Sequence, residues 1–270
     1  MTVRRLRLAL PLAAVVALAV VLVVVRVQRG PGADPTAPRA AAATVAAGGA
    51  DAAVVEAVTH VPASVLDAVG SGGVRTVPVA VNGEPVVQDG RPRLVWVGAD
   101  DCAACAATRW SVVVALSRFG TWSGLGAGTT ATDQPYPGTP GPTFAGATFR
   151  GDDVEFTAYT PDVAAADQPL VARYDAPPYV GDPAAVPFLL YAGGFVSAGP
   201  LFTPAVLDGL DATGVARALS DPASAVGRAV DGAADVITAT VCVMTGGKPG
   251  PVCGSPGVTA AAALLSPRTS

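Results

Sequence analysis

The sequence predicts an α/β domain that follows an N-terminal transmembrane helix. Three observations support this prediction: an uncharged run over residues 8–25, an alternation of strand-like and helix-like apolar patterns downstream, and a Cys-x-x-Cys pair at Cys102 and Cys105 between a strand pattern and a helix pattern. The chain has 270 residues, of which 51% are apolar, so it can build a packed core.

The charge and the motifs of the chain argue against nucleic-acid binding, nucleotide binding and hydrolase activity. Its formal net charge is −4, and Lys248 is the only lysine, against sixteen arginines, so the composition gives no basic face. Nucleic-acid binding therefore has little electrostatic support. The chain also lacks a phosphate-binding G-x-x-x-x-G-K-[ST] loop and a G-x-S-x-G nucleophile elbow. We expect no nucleotide and no cofactor.

The N-terminal segment predicts a membrane anchor. Three arginines, Arg4, Arg5 and Arg7, precede the apolar run Leu8–Val25, which would span about 27 Å as a helix, close to the ~30 Å hydrocarbon core. A cleaved signal peptide is the alternative, and the Ala-rich stretch 39–49 leaves later cleavage open. The arginines before the run place the N-terminus in the cytoplasm and the rest of the chain outside.

These features divide the chain into five predicted parts. The segment after the anchor is rich in Pro, Gly and Ala without a sustained period, which is typical of a tether. The parts are a cytoplasmic start at 1–7, a signal anchor at 8–25, a flexible linker at 26–53, an extracytoplasmic domain at 54–258 and a tail at 259–270.

Three patterns precede the cysteine pair. "VVEAVTHVPASVLDAVGSGG" has apolar residues at helical spacing and is interrupted by Pro62, so it predicts one or two short helices. "TVPVAVNG" alternates like a strand and stops at an Asn-Gly turn signal. "RLVWVGAD" is a continuous apolar run, which is typical of a strand buried on both faces.

The pair itself opens a predicted helix, "CAACAATRWSVVVALSRFG", that ends at Gly120. Two cysteines at this spacing on a first helical turn face the same way, and the unpaired N–H groups there stabilise a thiolate. Cys102 is then the expected attacking thiol and Cys105 the resolving thiol.

The rest of the domain predicts an insertion, a hairpin and closing helices. Residues 121–183 indicate a loop and hairpin insertion that contains the strand-like "ATFRGDDVEFTAYT". "AVPFLLYAGGFVSAG" predicts a β-hairpin whose first strand opens at Pro187, for which we expect a cis peptide bond. The final third predicts helices, with Asp221-Pro222 starting the long one and Gly246-Gly247 ending it.

A second cysteine pair, Cys242 and Cys253, follows in this helical region. In an exported protein a structural disulfide is the expected state, and it would close a loop of 12 residues and contribute about 3 kcal/mol. A relay of electrons to Cys102 and Cys105 remains an alternative. We expect no metal site, because the spacing of the four cysteines is poor for zinc and His60 is the only histidine.

The order of these elements resembles the thioredoxin fold. Strand, Cys-x-x-Cys at a helix start, insertion, Val-Pro strand, Gly-Gly hairpin and closing helix follow one another over 91–119 and 184–218. The resemblance implies that Pro187 is cis and lies against the cysteine pair. It also implies that the backbone of Val186 binds an incoming peptide.

A closer resemblance is carried by "GADDCAACAATRWSVVVALSRFGTWSGL" together with "LSDPASAVGRAVDGAADVITATVCVMTGGKPGPVCGSPGV". These segments resemble the thioredoxin-like family called domain of unknown function 929, whose members are membrane-anchored. The family has no settled activity. Its members commonly have an aromatic residue before the first cysteine and a proline after it, where this chain has Asp101 and Ala103.

These departures affect the predicted chemistry. Asp100 and Asp101 place negative charge beside Cys102, which is expected to raise the pKa of its thiol and to oppose the helix N-terminus. The two alanines between the cysteines supply no cation to stabilise a thiolate. We therefore expect a mild or reducing disulfide exchanger rather than a strong oxidant.

The sequence thus favours thiol–disulfide exchange with exported or membrane proteins that carry thiols or disulfides. The alternative comes from another class of protein: a redox-inactive thioredoxin-like module that binds partners or acts as a scaffold, with both cysteine pairs as structural disulfides.

Overall fold

The computed structural model of the protein describes residues 51–74, 76–130 and 135–265. The chain separates into two units, Met1–Ala47 and Gly48–Ser270, and the described residues all lie in the second unit. The predicted anchor at 8–25 therefore lies outside them. Within the described ranges no single helix is long and apolar enough to cross a membrane. The helices Asp51–Thr59 and Ala63–Val69, which are bent by 65° relative to each other, reach that length and apolar content only when they are taken together.

The predicted α/β class is confirmed. The strands are β1 Val79–Ala80, β2 Val87–Gln88, β3 Arg91–Val97, β4 Gly120–Ser123, β5 Gly126–Thr129, β6 Pro140–Thr143, β7 Thr148–Gly151, β8 Glu155–Tyr159, β9 Phe188–Tyr191 and β10 Phe195–Ala198. The helices are α1 Asp51–Thr59, α2 Ala63–Val69, α3 Ala103–Leu116, α4 Gln168–Tyr174, α5 Ala212–Ala218, α6 Ala225–Met244, α7 Gly250–Cys253 and α8 Pro256–Ala262, with a 3₁₀ turn at Pro204–Leu207.

The main sheet is built around β3. Strand β8 pairs with it in parallel and β9 pairs with its other edge in antiparallel, while β10 continues from β9 as a hairpin and β1 joins β10 at the edge. The short strand β2 forms a hairpin with the start of β3. Leu94, Val95 and Trp96 of β3 are buried and alternate between its two faces, so the strand is buried on both faces, as its continuous apolar run predicts.

Helices cover both faces of this sheet. On one face Leu94 and Trp96 of β3 pack in a large core that includes residues of α3 and α6. On the other face Val95 packs in a smaller core with residues of α4, such as Val171 and Tyr174. The alternation of side chains along β3 thus divides the domain into three layers.

The prediction that residues 121–183 form an insertion is wrong for β8, which pairs within the main sheet. Strand β7 pairs with β4 and β6 pairs with β5 in two small sheets, but β8 belongs to the main sheet. The segment expected to form a hairpin therefore splits after Gly151. Phe156 of β8 stacks edge-on against Trp122 and Phe144, and this aromatic cluster packs against the main core.

Several helix ends differ from those predicted. Two short helices separated at Pro62 are confirmed, but α3 ends at Leu116, and Gly120 already belongs to β4. Helix α6 begins at Ala225 rather than at Pro222, because the side chain of Ser224 caps it by accepting from Gly227 N. Asp221 instead accepts a hydrogen bond from Ala223 N in the preceding turn.

Candidate functional site

Cys102 and Cys105 form a disulfide at the N-terminus of α3, with their Cα atoms 5.1 Å apart. Strand β3 ends at Val97, and a four-residue turn leads to Cys102, which is the N-cap of the helix. The Cys102 sulfur accepts a hydrogen bond from Cys105 N at 3.0 Å. The predicted strand, turn and helix start therefore hold the first sulfur against a backbone N–H group of the first helical turn.

The two cysteines differ in exposure. Cys105 is completely buried in the core under the helix, whereas Cys102 is only partly buried. A group that approaches from solvent can therefore reach the sulfur of Cys102 before that of Cys105. The predicted roles of an attacking and a resolving cysteine require such an asymmetry.

The structure also brings Val186 to this site. The Val186–Pro187 peptide bond is cis, and the Cys102 sulfur lies 3.9 Å from the carbonyl oxygen of Val186. This proximity follows from the sheet register, because Phe188 of β9 is opposite Val97, the last residue of β3. Val186 is half-buried and Pro187 is buried, so the Val186 backbone lies at the rim of the site.

Helix α3 carries two further residues that organise the site, Arg109 and Trp110. Arg109 Nε donates to Pro142 O at 2.5 Å, and Trp110 Nε1 donates to Pro140 O at 2.8 Å, so both side chains hold the backbone of β6. Trp110 is fully buried in the main core. Gly141, between the two acceptors, lies against the backbone of Ala106.

Arg109 also reaches the turn that precedes Cys102. Its Nη1 donates to Ala99 O at 3.3 Å and lies 3.9 Å from Asp100 Oδ1. Burial lowers the pKa of Arg109, and the nearby carboxylate of Asp100 opposes that shift. Asp100 and Asp101 are themselves exposed, so the solvent side of the turn is acidic.

The second pair, Cys242 and Cys253, also forms a disulfide, with Cα atoms 5.5 Å apart, and it joins the end of α6 to α7. It lies far from the first pair. Val243 and Met244 line a surface cleft together with Pro92 at the start of β3, whereas Cys102 follows the other end of that strand.

Contacts along α3 support the same separation. Arg118, just beyond the end of this helix, donates to Asp235 Oδ1 and to Ser255 Oγ, both at 2.8 Å. Cys253 is close to Ser255 in sequence, while Cys102 caps the opposite end of α3. The helix has 14 residues and is about 21 Å long. A direct electron relay between the two disulfides has no support in this arrangement.

Sequence reasoning missed two buried carboxyl groups on α6. Asp231 and Asp235 are fully buried, and burial, with Asp235 nearby, raises the pKa of Asp231 to about 8. Burial also raises the pKa of Asp235 to about 7, against the opposing effect of Arg118. Their signal in the sequence is the spacing of two acids by four residues within an otherwise apolar helical run.

The remaining candidate ligands do not gather around the site. Within the described ranges no group of three or more His, Cys, Asp or Glu side chains could hold a metal ion. His60 is exposed near the end of α1, where its ring nitrogen lies 3.5 Å from Glu56.

A comparison with known families matches residues 77–161 to the family described as Domain of unknown function (DUF929). The resemblance found in the sequence is confirmed over this range. The range includes Cys102, Cys105 and the Arg109-Trp110 pair, and it ends before Val186 and the second disulfide. No curated protein and no solved structure matches the chain.

Proposed function

We propose that the protein exchanges disulfides with partner proteins through Cys102 and Cys105. One observation carries this proposal: a disulfide caps a helix with one cysteine partly exposed and the other buried, and the sulfur of the partly exposed cysteine lies 3.9 Å from the carbonyl oxygen of Val186. A purely structural disulfide has no need for a partly exposed cysteine beside this backbone segment.

The fold supports the same assignment. In the main sheet, β8, β3, β9 and β10 lie side by side, with β8 parallel to β3 and the other two antiparallel neighbours in order. A Cys-x-x-Cys helix follows β3, and a cis proline precedes β9. We assign this arrangement to the thioredoxin-like class.

The reaction begins with the reduced pair and a partner disulfide. The thiolate of Cys102 attacks one sulfur of the partner, which forms a mixed disulfide and releases the partner's other sulfur as a thiolate. Cys105, deprotonated to its thiolate, then attacks the sulfur of Cys102. The bond to the partner breaks, and the second partner sulfur leaves as a thiolate.

The reaction breaks one disulfide bond, in the partner, and forms another, between Cys102 and Cys105. Two electrons pass to the partner, which takes up two protons as its thiolates become thiols, and the Cys102–Cys105 disulfide forms. In the reverse direction a partner dithiol supplies the electrons and leaves oxidised. In either direction Val186 offers its backbone to the partner segment beside the reacting sulfur.

We further propose that this exchange takes place outside the cytoplasm, at the membrane. The support is the arginine-flanked apolar run at 8–25 and the Pro-, Gly- and Ala-rich segment after it. The partners are then exported or membrane proteins that carry thiols or disulfides.

A trapping experiment on the full chain tests the exchange. The variant Cys105→Ser, reduced with dithiothreitol and freed of it, is mixed with a fluorescein-labelled peptide that contains an intramolecular disulfide. We expect a covalent adduct on non-reducing gels that dithiothreitol removes, because Cys102 can attack but Cys105 can no longer release the peptide. The adduct site is mapped to Cys102 by mass spectrometry.

Two matched variants control this experiment. Cys102→Ser retains Cys105 but should give little adduct, because the remaining sulfur is buried. A double variant, Cys242→Ser with Cys253→Ser, should reduce the peptide as the unaltered protein does. If Cys105→Ser yields no more adduct than Cys102→Ser, the exchange proposal fails, and a redox-inactive binding module becomes the better assignment.

A further inference from the structure

Arg109 connects three parts of the site with one side chain. It lies two turns into α3 and is 5% exposed. Its guanidinium donates to Pro142 O of β6 and to Ala99 O of the turn before Cys102, and it lies 3.9 Å from the carboxylate of Asp100 in the same turn. The helix, β6 and the turn are therefore tied together at a single buried cation.

A hydrogen bond to the backbone of β6 does not by itself require a positive charge at position 109. Trp110, the next residue, holds the same strand through a neutral indole N–H donated to Pro140 O. Burial of a guanidinium carries a desolvation cost, which is offset when the group meets a carboxylate and several acceptors. The position of the charge, behind the turn that carries Asp100 and Cys102, is the feature that a neutral donor could not reproduce.

We propose that Arg109 is a positioning residue for the exchange reaction, which fixes the 99–101 turn and offsets the negative charge of Asp100 at the sulfur of Cys102. This inference rests on the proposed exchange function. Without the cation, Asp100 and Asp101 would act on the Cys102 thiolate opposed only by the helix N-terminus and its N–H groups. Arg109 therefore keeps the pKa of the Cys102 thiol lower than the two carboxylates alone would leave it.

The test measures the pKa of the Cys102 thiol in the reduced full chain, which needs no partner protein. Iodoacetamide alkylation rates are followed against pH by mass spectrometry of the peptide that contains Cys102. In Arg109→Gln we expect this pKa to rise by roughly half a unit to one unit, because a nearby cation is lost. Arg109→Lys, which keeps the charge, should retain most of the original pKa.

A double-mutant cycle separates electrostatics from loss of structure. Asp100→Asn should lower the thiol pKa, and it should lower it further in the Arg109→Gln background than in the original chain, because the carboxylate is then unshielded. Asp101→Asn is the matched control on the same exposed turn, and its effect should depend less on the residue at position 109.

The outcomes are separable. An unchanged thiol pKa in Arg109→Gln, or equal coupling of Arg109 to Asp100 and to Asp101, would overturn the inference. If Arg109→Gln does not fold, Arg109→Lys and Asp100→Asn still test the inference. The electrostatic role is contradicted if the thiol pKa in Arg109→Lys rises as far as expected for Arg109→Gln. It is also contradicted if Asp100→Asn leaves the thiol pKa unchanged. Failure of the trapping experiment would instead overturn the exchange function, whatever the thiol pKa.

Discussion

Opposing influences meet at the sulfur of Cys102. The backbone N–H of Cys105 and the N-terminus of a 14-residue helix favour its thiolate, and the carboxylates of Asp100 and Asp101 and the carbonyl oxygen of Val186 oppose it. In strongly oxidising dithiol proteins the reduced form is stabilised much further. That the pair is a mild exchanger stays a prediction of the Cys-Ala-Ala-Cys sequence and of the two acids before it.

Asp231 presents a different balance, because it is fully buried and neither of its carboxylate oxygens has a hydrogen-bond partner among the described residues. Its pKa is raised from 3.8 to about 8, first by burial and then by Asp235. In the folded protein the group holds its proton at pH values where the unfolded chain has released it. The stability that depends on this proton is complete below pH ~4 and is lost as pH rises toward 8.

The variant Asp231→Asn tests this residue. The free energy of unfolding of the original chain should fall between pH 5 and 8, with Asp231 contributing up to about 1.4 kcal/mol per pH unit. In the variant this fall should be shallower, because the neutral amide does not titrate. Urea denaturation followed by circular dichroism at several pH values measures both slopes.

Asp208→Asn is the control for that experiment, because Asp208 is exposed. Its slope against pH should equal that of the original chain. Equal slopes in all three proteins would mean that Asp231 is ionised in the folded state, in conflict with its burial.

At the scale of the elements, β6 lies close against the backbone of α3. A Cβ atom at Gly141 would lie 2.7 Å from the carbonyl oxygen of Ala106, and this residue is adjacent to Cys105. The strand can approach the helix backbone only because position 141 has no side chain. This approach also sets the distance over which Arg109 and Trp110 reach their acceptors.

Gly141→Ala should therefore destabilise the protein by about 1–3 kcal/mol, since β6 or the helix must shift to admit the methyl group. The measurement is the free energy of unfolding from urea titration. Gly128→Ala is a close control, because Gly128 is the strand partner of Gly141 and a Cβ there would meet no atom within 4 Å.

The control variant should change stability by less than about 1 kcal/mol. Similar losses for both variants would show that the β5–β6 sheet itself, rather than its approach to α3, determines the effect.

The elements around the cysteine pair could be predicted from local patterns, and those that depend on distant contacts could not. Strand β3, the helix start at Cys102 and the β9–β10 hairpin follow from apolar runs and turn residues that act within a few positions. The sequence places strand β8 in an insertion, because local patterns do not show its pairing with β3, in which Glu155 is opposite Arg93.

The site shows the same division. Cys105 is buried, and the Cys102 sulfur lies 3.9 Å from the carbonyl oxygen of Val186, while the roles of these residues in exchange stay predictions. The hydrogen bonds of Arg109 could not be predicted, because they join a helix to a strand 33 residues later and to a turn 10 residues earlier. The sequence predicts that Asp221 and Pro222 start helix α6, but the hydrogen bonds of the turn make Ser224 the cap.

At the scale of the whole molecule, the two disulfides lie at opposite ends of β3 and have separate effects. The Cys242–Cys253 disulfide spans 11 positions and ties α6 to α7. The double variant Cys242→Ser with Cys253→Ser should lose about 3 kcal/mol of stability, because the unfolded chain regains the freedom of that loop.

The same variant should leave the redox equilibrium of Cys102 and Cys105 with glutathione unchanged, as measured by alkylation and mass spectrometry. Cys102→Ser with Cys105→Ser is the reciprocal control and should cost less, about 2 kcal/mol, since its loop is only four residues. A shift of the first pair's equilibrium on removal of the second would indicate communication along α3.

The burial of Cys105 also determines how an encounter with a partner can end under the proposed exchange. Cys105 has no exposed surface, so the target within its reach is the sulfur of Cys102 in the same helical turn. Release by this internal attack proceeds at a rate that does not depend on the concentration of outside reductant, whereas a small thiol that attacks the mixed disulfide itself adds a release that does. Without outside thiols, the time a partner stays bound is therefore set inside the protein, by how readily the first turn of α3 lets one sulfur approach the other.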